Sequence, residues 1–248
     1  MIDVVLLPSM LNQTLLPQSQ VVIFDVLRAS STIVSALNNG AREVRLFSDV
    51  DSVLQVRPSV PPPVVSAGER GCVKVPGFDL GNSPAEYETH RIGGASILLS
   101  TTNGTRAAVA AQDASEIFVG SLLNAQATAH ALQPQLDHLH TLLVLSGTDG
   151  QLAQEDVIGA GAVLWHLLGG TYRIDLPYTD AAWMAYHCFS AVRERLGAAL
   201  RLGGGGINLI EGGFEDDIDL CAKLNSMPIA VRVLKDPLRA VVGLDRHK

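Results

Sequence analysis

Val21-Val-Ile-Phe-Asp25-Val-Leu-Arg28-Ala-Ser30-Ser31-Thr32-Ile-Val34 reads as a buried β-strand that passes through a short polar turn into a helix. An unbroken β-branched and aromatic run suits a strand covered on both faces, and the small hydroxyl residues after it suit a helix start. That helix spans about 31–38 and closes on Gly40, a residue that accepts a left-handed cap without steric cost. The same strand, polar turn and helix recur downstream. Residues 96–100 lead through Thr101-Thr102-Asn103-Gly-Thr105, residues 116–119 through Ser121-Leu-Leu-Asn124, and residues 141–145 through Ser146-Gly-Thr-Asp149-Gly150. Strands at 43–47 and 64–67 bracket a short helix at 49–55 and a proline-rich loop. This alternation predicts an α/β fold, a layered α/β/α arrangement on a largely parallel or mixed sheet.

The chain has 248 residues, 47% hydrophobic and 17% charged, a composition that fills a core and excludes a disordered protein. It predicts one domain over 1–248, or two lobes that meet near 170–180. Lys and Arg number 18 against 25 Asp and Glu, and a net charge of −7 argues against a nucleic-acid partner, which needs clustered cations. The start, Met1-Ile-Asp-Val-Val-Leu-Leu-Pro8, has no basic region before a long apolar one. The uncharged stretch at 157–170 is too short to span a bilayer and contains His166. A cytoplasmic protein with no membrane partner is expected. Cys72, Cys188 and Cys221 are odd in number and far apart, which suits a reducing compartment and no structural zinc. In the later chain, 83–91 and 179–196 read as helices, 203–206 as a flexible joint, 211–224 as an acidic segment helical in part, and 229–234 as a final strand.

In open α/β sheets, ligands gather where strand ends meet helix N-termini, whose free N–H groups attract anions. The polar residues after the strands therefore form one candidate rim. Asp25 stands where a metal ligand or acyl-phosphate nucleophile would, and Arg28 with Ser30 and Ser31 can grip an oxyanion. The competing reading makes Asp25 and the hydroxyls simple turn and helix caps. Glu69 and Arg70 lie between Gly68 and Gly71, so the backbone can approach a ligand there; Lys74 follows nearby. Asp149, Glu155 and Asp156 surround one helix start, where they either serve the site or complement the helix dipole. Asp217-Ile-Asp219 reads as an acidic helix face that can also approach a metal from a second lobe. A haloacid-dehalogenase phosphatase would need a second Asp two residues after Asp25, a place that Leu27 occupies.

Taken together and in order, the 24–33 turn, Gly68-Glu-Arg-Gly71, Gly77-Phe-Asp-Leu-Gly-Asn82-Ser-Pro84, Thr101–Thr105, Ser121–Asn124 and Gly147-Thr-Asp-Gly-Gln151 with Glu155-Asp156 resemble the 2-phosphosulfolactate phosphatase family. The resemblance implies a Mg²⁺-dependent hydrolase that converts 2-phospho-3-sulfolactate to 3-sulfolactate and phosphate, a step toward coenzyme M. It also implies an α/β fold particular to that family. Cys72 departs from the pattern, standing where a glycine is usual. On this reading Asp25, Arg28, Arg70 and Asp149 are catalytic, while Ser30, Ser31, Asn82, Thr102, Asn103, Thr105 and Asn124 bind substrate. Asp25, Glu69, Asp149 and Asp156 hold the Mg²⁺. The partner is a small phosphorylated anion, and a homo-oligomer is compatible with the sequence. The alternatives are a phosphatase for another small 2-phospho acid and a non-catalytic binder of phosphorylated metabolites.

Overall fold

The computed structural model describes residues 1–170 and 177–243, and all structural statements refer to these. In chain order they form β1 (Ile2–Val5), β2 (Ser19–Phe24), α1 (Ala29–Asn38), β3 (Glu43–Phe47), α2 (Val50–Val56), β4 (Val64–Arg70) and β5 (Val73–Lys74). Next come α3 (Thr89–Ile92), β6 (Ser96–Ser100), α4 (Gly104–Ala110), β7 (Glu116–Gly120), α5 (Ala125–Leu132), β8 (His140–Leu145) and α6 (Gln154–Leu167). The last third holds α7 (Asp180–Val192), α8 (Leu196–Leu200), α9 (Gly204–Glu211), α10 (Glu215–Cys221), β9 (Val231–Leu234) and β10 (Arg239–Val242). None of these helices is long and apolar enough to cross a membrane.

The strands make one mixed sheet in the order β1-β8-β2-β7-β9-β10-β3-β6-β4-β5. β1, β8, β2 and β7 are mutually parallel, as are β3, β6 and β4. The antiparallel hairpin β9–β10 joins these groups, pairing β7 on one side and β3 on the other, so the two groups run in opposite directions. Between β2 and β6 lie five strand-to-strand steps. At about 20–25° of twist each, they rotate the strand direction by roughly 100–125°. This twist turns the carboxyl end of β6 back toward that of β2, which a flat sheet would hold at the opposite edge. A β-carbon built on Gly104, just after β6, would lie 2.9 Å from Asp25 Oδ2, just after β2.

Alternation along each strand sorts the core. Val21 and Ile23 face α1 and α4 together with Leu46 and Leu99, while Val22 and Phe24 face the other way, against α5, α6 and α7. Leu98 packs with Val53 of α2 in a third cluster. Every residue of α1 from Ala29 to Leu37 is buried. A helix on a flat sheet leaves one side wet, so burial all round reflects the curl of the sheet about it.

The α/β/α layering expected from the sequence is present on a mixed sheet, and several local expectations change. Residues 83–86 form only a single 3₁₀ turn instead of opening a helix. Ser83 Oγ donates to Asp217 at 2.6 Å and the Glu86 carboxylate accepts from Gly81 N–H at 3.1–3.2 Å, so neither caps the turn as the motif suggests. The segment 203–206 leads into α9 and is no joint. The strand expected at 229–234 is followed by β10 across the Asp236-Pro237 turn, and β1 pairs β8 at the sheet edge. The lobe boundary expected near 170–180 falls largely on 171–176, outside the described residues.

Candidate active site

Asp25 ends β2 because the turn holds it there. Its carbonyl accepts Ser30 N–H at 2.8 Å, its N–H donates to Ser30 Oγ at 3.2 Å, and its Oδ1 accepts Ala29 N–H at 3.2 Å. Asp25 thus caps the turn, whereas the Ser30 and Ser31 hydroxyls bond Asp25 N–H and Val26 O and do not cap α1; Asp25 Oδ2 is left to face the Gly104 approach. Burial pushes the Asp25 carboxyl up to about 7; the Ala29 N–H opposes this and the nearby Glu69 and Glu155 charges reinforce it.

A ring of acidic groups surrounds Asp25. Glu69, 8% exposed, accepts the N–H and Oγ1 of Thr102 at 3.0 Å on one oxygen and Cys72 N–H at 3.0 Å on the other. Asp156 accepts Val26 N–H at 2.8 Å and Gly147 N–H at 3.0 Å, which bind the first turn to the 146–150 turn. Burial, then repulsion from Asp25 and Glu155, pushes its carboxyl far above the usual range. Burial also pushes Glu155 up, and its Oε2 is buried without a hydrogen-bond partner. These groups crowd negative charge into a dry volume, which costs free energy unless protons or a cation neutralise it.

A cleft of about 140 Å³ opens over this ring. The structure brings Asp25, Arg28, Glu69, Asn82, Thr102, Asn103 and Asp149 together in its lining. Asn82 Oδ1 is buried there without a hydrogen-bond partner. Asp149 is exposed at the mouth and takes φ +51°, a left-handed conformation that projects its side chain from the tight Ser146–Gly150 turn. Other predicted site residues stand outside the lining. Ser31 Oγ donates to Val26 O, Thr105 Oγ1 to Thr101 O, and Asn124 completes a capping box with Ser121 while reaching Ile229 O at 3.2 Å. With Ser30 also bonded within its turn, these side chains shape the backbone that frames the cleft. Arg70 is exposed and donates to Glu69 O, Ser100 O and Ser100 Oγ, gripping the ends of β4 and β6.

Two features of the cleft carry no signal near its motifs in sequence. α9 supplies Gly205, Asn208 and Leu209 to the wall. The glycines that open it have a packing cause, because a β-carbon on Gly205 would strike the Glu155 carboxylate and one on Gly203, the residue before α9, would lie 2.9 Å from Glu155 Oε2. Asp217 of α10 is buried and pairs with Arg28, Nη1 to Oδ2 at 2.7 Å, so it is no solvated acidic face. Its distance along the chain hid that pairing.

Among the described residues, no three His, Cys, Asp or Glu side chains are arranged as a ready-made metal centre. Mg²⁺ asks for less, because it keeps several waters and takes one or two carboxylates together with substrate phosphate oxygens. Asp25 and Glu69, both lining the cleft, fit that requirement.

Comparison with known proteins adds a global likeness to this geometry. Residues 5–236 match the family model described as 2-phosphosulpholactate phosphatase. A "Probable 2-phosphosulfolactate phosphatase" of Deinococcus radiodurans is 39% identical over 223 residues, 87% of this chain and 90% of that protein. The protein of the same description from Carboxydothermus hydrogenoformans is 37% identical, covering 92% of this chain and 91% of its own length. That of Pseudothermotoga lettingae is 35% identical over 95% of this chain and 97% of its own.

Proposed function

This chain belongs to the 2-phosphosulpholactate phosphatase family, and on that premise we propose that it is a Mg²⁺-dependent hydrolase of 2-phospho-3-sulfolactate, releasing 3-sulfolactate and phosphate. The observation that carries the proposal is Asp25 at the cleft, whose burial, reinforced by the nearby Glu69 and Glu155 charges, raises its pKa to about 7. Such a site discriminates strongly between having and lacking a cation. Among the described residues lining the cleft, Arg28 is the cationic one, and it already answers Asp217. A substrate with phosphate, sulfonate and carboxylate would meet net repulsion there without added positive charge.

Asp25 and Glu69, with Asp149 at the mouth, would hold Mg²⁺, which when bound supplies positive charge to the phosphoryl oxygens. Arg28 binds an anionic group of the substrate through its remaining N–H donors, and Asn82 and Asn103 complete the polar wall. Asp149 orients the attacking water and accepts its proton. Asp156, held by two N–H groups, ties the two turns together. A cytoplasmic location, where Mg²⁺ and phosphorylated metabolites occur together, suits the same chemistry.

The test is phosphate release by the purified protein with Mg²⁺ and with chelator, across 2-phosphosulfolactate, 2-phospholactate and phosphoglycerates. Release confined to Mg²⁺ and highest for 2-phosphosulfolactate is expected. Preference for another 2-phospho acid would reassign the substrate, and ligand-induced stabilisation without turnover would make the protein a binder.

A further inference from the structure

Asp217 and Arg28 lie 189 residues apart in sequence yet meet at 2.7 Å, with side chains 5% and 2% exposed. Arg28 lines the cleft, and its guanidinium is held on three sides. Nη1 donates to Asp217 Oδ2, Nη2 donates to the Cys72 carbonyl at 3.0 Å, and Cζ lies over the Phe214 ring, 4.3 Å from its centroid. Asp217 is held in turn, because its Oδ1 accepts Ser83 Oγ at 2.6 Å. The contacts come from three segments: α10 with the residue before it, the β4–β5 turn and the 83–86 turn. An arginine with this many partners has few rotamers left, whereas a free one must lose side-chain entropy each time it binds an anion.

We propose that Asp217 is a positioning residue, which with Ser83 fixes Arg28 in the orientation that receives an anionic group of the substrate. Asp217 does not line the cleft and acts only through Arg28. This inference rests on the assignment of Arg28 as the anion-binding group in the proposed phosphatase. The arrangement also explains why the C-terminal third belongs to the site, since α10 presents the carboxylate that a buried guanidinium requires.

The experiment is a double-mutant cycle with Asp217→Asn, Arg28→Lys and both together in the full chain, read out in two ways. The first is KM and kcat for 2-phosphosulfolactate with Mg²⁺. The second is the melting-temperature shift produced by inorganic phosphate with Mg²⁺, which does not depend on turnover. Asp217→Asn is expected to raise KM about tenfold with kcat within about threefold, and to shrink the phosphate-induced shift. The double variant is expected to lose no more than the larger single loss, because both changes disable one device. An Asp217→Asn protein that melts cooperatively and keeps wild-type KM and phosphate response overturns the proposal, as does full additivity. Should that variant fail to fold, Ser83→Ala decides: a raised KM with an unchanged melting temperature supports the device, and an unchanged KM refutes it. Absence of turnover in the wild type, with phosphate stabilisation retained and lost in Asp217→Asn, would refute the phosphatase reading and leave this one standing.

Discussion

At Asp25 the cost and the use of a functional side chain are the same thing. Its ordinary pKa is 3.8 and the folded site raises it to about 7, so between those values the folded state holds a proton that the unfolded chain has released. Stability therefore falls as pH rises through that window and levels off above it, by about 4 kcal/mol at most from this group. Asp156 and Glu155 act in the same direction. Metal-free protein should melt at a lower temperature at pH 8 than at pH 5, a trend that calorimetry would test. Asp25→Asn keeps the shape and removes the charge, so it should abolish phosphate release yet melt above the wild type at pH 8 without Mg²⁺. An active variant would remove Asp25 from the chemistry. Cys72 illustrates the opposite balance. It has φ +66°, a left-handed conformation in which a β-carbon costs about 1 kcal/mol and glycine would cost none. Cys72→Gly gains that strain energy and loses a similar amount to unfolded-state entropy, so denaturant titration should show a change within about 1 kcal/mol.

Among the elements, α9 departs most from its sequence appearance. Four glycines in a row, Gly203 to Gly206, look like a hinge, but Gly203 and Gly205 make room for the Glu155 carboxylate and Gly206 for the Leu200 carbonyl. Gly204 has nothing within 4 Å of its would-be β-carbon. Gly205→Ala should thus cost about 1–3 kcal/mol in denaturant unfolding, while Gly204→Ala should be neutral or stabilising by up to about 1 kcal/mol. Equal effects at both positions would mean that packing against Glu155 is not what selects glycine. α7 shows an element whose sequence cue works, since the Thr179 hydroxyl accepts Ala182 N–H at 3.3 Å as an N-cap should. The cue at 83–86 fails because capping is a local preference of about 1 kcal/mol, outweighed when both side chains find stronger partners elsewhere.

For the whole molecule, the β9–β10 hairpin is the joint between two parallel groups that run in opposite directions. Truncation after Ser226 would expose facing edges of β7 and β3, and the shortened chain should show no cooperative melt. Mg²⁺ should raise the melting temperature of the full chain and flatten its pH dependence, because a cation favours the ionised ring. At a hundredfold excess over its Kd the gain would be about 2.7 kcal/mol, and a chelator should reverse it. The alternation of strands and helices and the polar turns after the strands are legible in residue order, and with them the gathering of Asp25, Glu69, Asn82, Thr102, Asn103 and Asp149 in one cleft. Those properties are local: strand periodicity and turn chemistry act over a few residues, and strand ends in such sheets share a rim. Residue order alone does not reveal that Arg28 answers Asp217, that α9 walls the cleft, or that Asn124 reaches the Ile229 carbonyl. Those outcomes depend on sheet twist and on the need of each buried charge for a partner, which contacts 100 or more residues apart satisfy and local sequence does not encode.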